Sequence, residues 1–274
     1  LHRSYLYYWL NIVLIDGFPS SGKSLIAQIF GYLKQSEQYQ LHPIFDYLSV
    51  LNYINEISNE SYKAMICMEA DKLLYNLMIG RYVNFRKTDN SSPYYDGLHE
   101  RYLARIKKND DNQIINEINN TNPILPIHIH NIFGYSNGLY HSFGDRLKLY
   151  LVILRDPFYL IDTWHQRDWV NKICKLDREF ILCCDYNGRN IPWYSVEYVE
   201  EYTIANSFEK SILTICRWYE GVFSKYNNLS VSEKNKTMLI IFEEFAINPN
   251  KYIDIMCSIL KTERADNFNK IFER

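Results

Sequence analysis

Asn11-Ile12-Val13-Leu14-Ile15-Asp16-Gly17-Phe18-Pro19-Ser20-Ser21-Gly22-Lys23-Ser24 is the stretch on which the reading of this chain turns. Its first six residues form a mainly apolar run ended by Gly17, the pattern of a strand buried on both faces in a parallel sheet. The remaining eight fit G-x4-G-K-[ST], and apolar residues at helical spacing follow over residues 23–33. A loop set between a buried strand and a helix aims backbone N–H groups at an anion, and Lys23 adds a mobile positive charge. Gly17, Phe18, Pro19, Ser20, Ser21, Gly22, Lys23 and Ser24 are therefore the expected binding loop for a phosphate-bearing ligand.

Outward from the loop, strand and helix signals alternate. Met65, Met68, Leu73, Leu74 and Leu77 repeat at helical intervals within 61–78, and helical patterns resume over 98–119. Residues 124–130, I-L-P-I-H-I-H, end in strand alternation, with Pro126 placing that strand near an edge or at its own start. Residues 147–154, L-K-L-Y-L-V-I-L, give the strongest strand signal, and Pro157 opens a helix behind them. Residues 178–194 read as irregular and 196–226 as one long helix. Residues 237–242 read as a strand, followed by a helix from Pro249 to Leu260. Strands alternating with helices specify an α/β fold, a three-layer sandwich around a central, mainly parallel sheet of the phosphate-loop type. No linker or repeat divides the chain, so one domain over 1–274 is expected, with a helical insertion around 61–120 forming part of an acceptor pocket.

Composition narrows the function classes. Lys plus Arg total 30 against 32 Asp plus Glu, a balance without the basic excess of a nucleic-acid binder. Nothing reaches the run of about 18 apolar residues that a membrane span requires. The apolar start, residues 5–15, reads as the first core strand of a cytoplasmic protein and not as a signal peptide. The six cysteines, at 67, 174, 183, 184, 216 and 257, include no C-x2-C pair. They read as small buried hydrophobes in a reducing compartment, with the adjacent Cys183 and Cys184 suited neither to a zinc knuckle nor to a normal bridge.

Val152-Ile153-Leu154-Arg155-Asp156-Pro157, with Thr163-Trp164 eight and nine residues after the arginine, resembles the second nucleotide motif of sulfotransferases. Residues 241–249, I-F-E-E-F-A-I-N-P, leading to Cys257-Ser258-Ile259-Leu260, look like that family's late strand-to-helix segment, and G-F-P-x-S-G resembles its first motif. The three span residues 12 to about 261. The resemblance implies 3'-phosphoadenosine 5'-phosphosulfate as co-substrate, with Arg155 and Thr163 holding the 3'-phosphate and no metal. It also matches His130 to the family's catalytic histidine and His128 to the lysine before it. The chain departs from the family in two places. Ser20 stands where a Lys or Arg assists the leaving group, so the cationic role passes to Lys23. The C-terminal basic-glycine segment has no counterpart before Arg274.

The residues support parts of this directly. A donor phosphorylated at both its 3' and 5' positions needs two anion sites, and the loop and Arg155 supply one each at C-terminal strand ends. Residues two apart on a strand share a face, and a neutral imidazole can take the proton of an attacking hydroxyl. Glu69, Asp71, Asp89, Asp96 and Glu100, interspersed with Tyr82, Phe85, Tyr94, Tyr95 and Tyr102, could hold a cationic acceptor such as a guanidinium alkaloid. The expected function is sulfuryl transfer to a hydroxyl or amine of a small molecule. Neither nucleic acid nor a membrane is an expected partner, and a homodimer is left open. The rival is a phosphate-loop kinase using ATP and Mg2+, with Ser24 on the metal and Asp156 or Glu243 as its acidic partner. A third reading is a catalytically idle nucleotide-binding module.

Overall fold

A computed structural model describes residues 11–89, 91–94, 97–108, 110–176 and 180–272. The loop's strand, β1 (Asn11–Gly17), lies at the centre of a five-stranded sheet. Its companions are β2 (Gln40–Leu41), β3 (Ile124–His128), β4 (Leu147–Leu154) and β7 (Thr237–Ile241). Their order is β2-β3-β1-β4-β7, and every pairing is parallel. A second, antiparallel hairpin joins β5 (Cys183–Tyr186) to β6 (Arg189–Pro192).

Strand alternation builds two cores, one on each side of the sheet. Ile12 and Leu14 of β1, with Tyr150, Val152 and Leu154 of β4, face a core closed by the helices Asn59–Met78, Pro157–Gln166 and Ser207–Asn228. Val13 and Ile15, with Leu149, Leu151 and Ile153, face the opposite core, closed by the helices Lys23–Ile29 and Pro249–Leu260. The result is the α/β three-layer sandwich with a parallel sheet that the sequence specifies.

Several elements differ from expectation for visible reasons. β3 is interior, between β2 and β1. The backbone of Ile124 bonds toward residues 35 and 37, so Pro126, two residues on, turns its missing N–H to that same side. The ladder there resumes only at Ile127 opposite Gln40, so no bond is lost. The span 98–119 divides into His99–Arg105 and Asp111–Thr121, the latter capped by the Asp110 carboxylate. The single helix expected over 196–226 breaks at Ala205. The short helix Val199–Ile204 ends there, and Asn206 with Glu209 forms a capping box that starts Ser207–Asn228. The stretch read as irregular contains the β5–β6 hairpin, turned by Asn187 and Gly188, both at positive φ. The first residues of that stretch, Arg178 among them, lie outside the described residues, as does the part of 5–15 before Asn11.

The cysteine reading is corrected. Cys174 and Cys183 form a disulfide, with Cα atoms 6.0 Å apart. Cys67 alone of the free cysteines is buried; Cys216 is exposed, and Cys184 and Cys257 are half-buried. Among the described residues no helix is long and apolar enough to cross a membrane.

Candidate active site at the phosphate loop

Two glycines let the loop close on its surroundings. A Cβ at Gly17 would lie 2.8 Å from the Ile153 carbonyl oxygen, and one at Gly22 would lie 2.1 Å from the Phe242 ring. Both glycines hold positive φ, as does Ser20 at φ 72 between them. Phe18 anchors the loop from below, its ring 5.0 Å from Trp164 and 4.4 Å from Trp218. Trp164 also donates its indole N–H to the Pro19 carbonyl at 3.3 Å. No side chain caps the helix that starts at Lys23; the Leu25 N–H donates to the Gly22 carbonyl at 3.1 Å, which leaves the N–H groups of Lys23 and Ser24 for an anion. The Ser21 hydroxyl is buried without a hydrogen-bond partner. This cradle, with a cation inside it, fits a phosphate group.

Lys23 is 4% exposed, and its Nζ donates to the Phe18 carbonyl at 3.0 Å. Burial lowers its pKa to about 8, against the pull of the Asp16 and Asp46 carboxylates. Asp16, wholly buried at the end of β1, fastens the loop to its neighbours. It accepts from the backbone N–H groups of Gly17, Ile132 and Phe133 and from the Tyr150 hydroxyl. Burial nonetheless raises its pKa, because desolvation outweighs those donors.

The two histidines part company. His128 ends β3, opposite Ile15 of β1 and Leu41 of β2. It is buried, both its ring nitrogens lack hydrogen-bond partners, and burial followed by the nearby Lys23 pushes its pKa down to about 2. His130 lies past the strand end, so the two do not share a strand, although their rings stay 5.0 Å apart. His130 is gripped by Asp46, a residue sequence reasoning missed. One Asp46 oxygen accepts the His130 backbone N–H at 3.0 Å, and the other meets Nδ1 at 2.9 Å. An acceptor-only carboxylate at Nδ1 fixes the proton there and leaves Nε2 as the basic atom.

That pair opens onto a cavity of about 360 Å³. Pro19 of the phosphate loop lines one part of it, Tyr47 and Val50 of the Ile44–Tyr53 helix another, and Trp169, Phe180, Trp193 and Tyr194 form an aromatic wall. The disulfide between Cys174 and Cys183 closes the chain around Phe180. No described residue of the 61–120 insertion lines this cavity. Carboxylates of that insertion face basic neighbours instead: Glu69 pairs with Lys72, Asp71 with Arg146 and Asp89 with Arg86. Tyr102 is buried beneath Arg101 and Arg105, while Tyr95 and Asp96 lie outside the described residues.

On the other side of β1, Arg155 follows β4. Its guanidinium is sandwiched between the rings of Tyr159 at 3.9 Å and Phe242 at 4.3 Å. Its Nε lies 2.9 Å from a Glu243 oxygen as an ion pair, without hydrogen-bond alignment. Phe242 therefore touches both Arg155 and the space above Gly22, which links the two expected anion sites. Thr163 sits half-buried two helical turns beyond Arg155, next to Trp164. The acidic residues considered for a metal are already engaged: Glu243 with Arg155, and Asp156 as the cap of the Pro157–Gln166 helix.

No protein-family profile and no curated protein matches the chain. Among solved structures, a sulfotransferase domain from the curacin biosynthetic pathway matches with a TM-score of 0.48 and 9% identity, over 96% of this chain and 78% of that one.

Proposed function

We propose that this protein transfers a sulfuryl group from 3'-phosphoadenosine 5'-phosphosulfate to a hydroxyl of a small, largely apolar acceptor. The observation that carries the reading is that one cavity joins the Asp46–His130 pair to Pro19 of the phosphate loop. A proton acceptor and an anion cradle thus border the same space, as direct transfer requires.

In this reading the loop and Lys23 hold the 5'-phosphate, while Arg155 and Thr163 hold the 3'-phosphate. His130 Nε2 takes the acceptor's proton as its oxygen attacks sulfur. The bond from sulfur to the bridging oxygen breaks, its electron pair stays on the 5'-phosphate, and adenosine 3',5'-bisphosphate leaves. Asp46 stabilises the imidazolium that forms. His128 serves as a neutral packing group, because protonating it in place is strongly opposed. The aromatic wall favours a flat, uncharged acceptor over the cationic one that the insertion's carboxylates suggested.

The test is a thermal-shift comparison of adenosine 3',5'-bisphosphate with ATP-Mg2+. Stabilisation by the bisphosphate alone supports the reading. Stabilisation by ATP-Mg2+ alone sinks it in favour of a kinase.

A further inference from the structure

The phosphate loop has a second cation beside it. Arg167 follows the last turn of the Pro157–Gln166 helix, and its Nη1 donates to Ser20 Oγ at 3.3 Å. Several contacts fix this approach. Trp164, one turn earlier, bonds the Pro19 carbonyl, which ties the helix to the loop. The Arg167 backbone is held at both ends: its N–H donates to the Thr163 carbonyl at 3.1 Å, and its carbonyl accepts from Lys172 Nζ at 2.6 Å. Ser20, at φ 72, is the non-glycine residue of the loop held at positive φ. Among the described residues no carboxylate lies within ion-pair distance of Arg167, whereas Arg155 is neutralised by Glu243.

The two cations at the loop also differ in freedom. Lys23 is buried and already donates to the Phe18 carbonyl, which suits a group that holds phosphate from within. Arg167 is exposed, and its loop contact is a single neutral hydroxyl that a stronger acceptor would displace. When the S–O bond breaks, negative charge grows on the oxygen between sulfur and the 5'-phosphate, and a guanidinium N–H there would be used mainly in the transition state.

We infer that Arg167 is a catalytic residue which leaves Ser20 Oγ to donate to that bridging oxygen as the sulfuryl group departs. The inference rests on the sulfuryl-transfer reading. It moves no proton: the guanidinium stays charged and its N–H···O bond strengthens as the oxygen becomes anionic.

The experiment follows sulfuryl transfer from p-nitrophenyl sulfate to adenosine 3',5'-bisphosphate, the reverse of the proposed direct transfer with p-nitrophenol as leaving group, which passes through the same bridging oxygen. Arg167→Ala should lower kcat by roughly 10²–10³-fold, the scale of one lost transition-state donor. Bisphosphate affinity by calorimetry and the unfolding midpoint should stay near wild type. Guanidinium ion added at millimolar concentration should restore part of the lost rate to Arg167→Ala, an effect that a purely structural role would not produce. Arg167→Lys should fall between the two. An Arg167→Ala enzyme with wild-type kcat overturns the inference and leaves the transfer reading standing. So does one that loses bisphosphate affinity and rate together without guanidinium rescue. A wild-type protein that binds the bisphosphate yet transfers no sulfuryl group overturns both.

Discussion

Asp46 and His130, 84 residues apart, meet through two bonds at once: one carboxylate oxygen takes the backbone N–H of His130 and the other lies 2.9 Å from its Nδ1. The double grip sets both the position of the ring and the nitrogen that carries the proton. Asp46→Asn keeps the shape but loses the charge that stabilises an imidazolium. It should cut sulfuryl-transfer turnover by about 10²-fold or more, and His130→Ala by about 10²–10⁴-fold, with bisphosphate affinity unchanged. Steady-state rates paired with calorimetry check this. An active Asp46→Asn enzyme would dissolve the pair as a catalytic unit.

His128 yields a prediction about stability. Its folded pKa, about 2, lies below the ordinary 6.5, so below pH 6.5 the unfolded chain binds a proton that the folded chain refuses. Stability from this group is therefore full above pH 6.5 and falls with acid, by up to about 1.4 kcal/mol per pH unit. His128→Leu should flatten that acid limb in denaturant titrations at pH 7.5 and 5. Parallel losses in both proteins would mean that His128 is protonated readily in place.

Lys23 should make anion binding pH-dependent in the opposite region. Its folded pKa of about 8 leaves the Lys23 amine mostly neutral above that pH in the free protein, and a bound phosphate favours the ammonium form. Bisphosphate affinity should thus fall as pH rises through about 8, with proton uptake seen by calorimetry in buffers of different ionisation enthalpy. Lys23→Arg should abolish the dependence. Affinity flat to pH 9.5 in the wild type would contradict it.

Arg155→Ala should weaken bisphosphate binding by about 1.5–3 kcal/mol, the scale of a charge-assisted bond. Arg155→Lys should recover little, because an ammonium cannot fill the flat slot between Tyr159 and Phe242. Glu243→Gln should tighten binding by freeing the guanidinium. Unchanged affinity in Arg155→Ala would remove the second anion site.

What the sequence announced and what it withheld follow from the range of the interactions involved. β4, Leu147–Leu154, stood out because a strand buried on both faces is apolar along its length, and the loop because its two glycines and lysine all fall within the short stretch Gly17 to Lys23. Asp46 was silent: its value lies in a partner 84 residues away, and its helix, Ile44–Tyr53, is short. Arg167 was silent for the same reason, meeting Ser20 across 147 residues. Local signals did mark the Asn187–Gly188 turn and the Asn206–Glu209 capping box, since an Asn-Gly pair and an Asn three residues before a Glu are both short-range features. The pairing of Cys174 with Cys183 is not contained in their spacing, since Cys184 stands one residue further on.

The strand order β2-β3-β1-β4-β7 carries a consequence for how such a protein can change. Asp46 and His130 follow β2 and β3, whereas Arg155 and Glu243 follow β4 and β7, so β1 divides the carboxylate–histidine pair from the Arg155–Glu243 pair, while the aromatic wall of the cavity comes from the connection after β4. A substitution at Tyr47 or Val50 reshapes what the cavity admits without touching a residue that grips Arg155. If the protein transfers a sulfuryl group as proposed, selection can therefore retune the acceptor at nearly constant donor affinity through the Ile44–Tyr53 helix, and the lineage of such a scaffold should diversify there while the grip on Arg155 stays fixed.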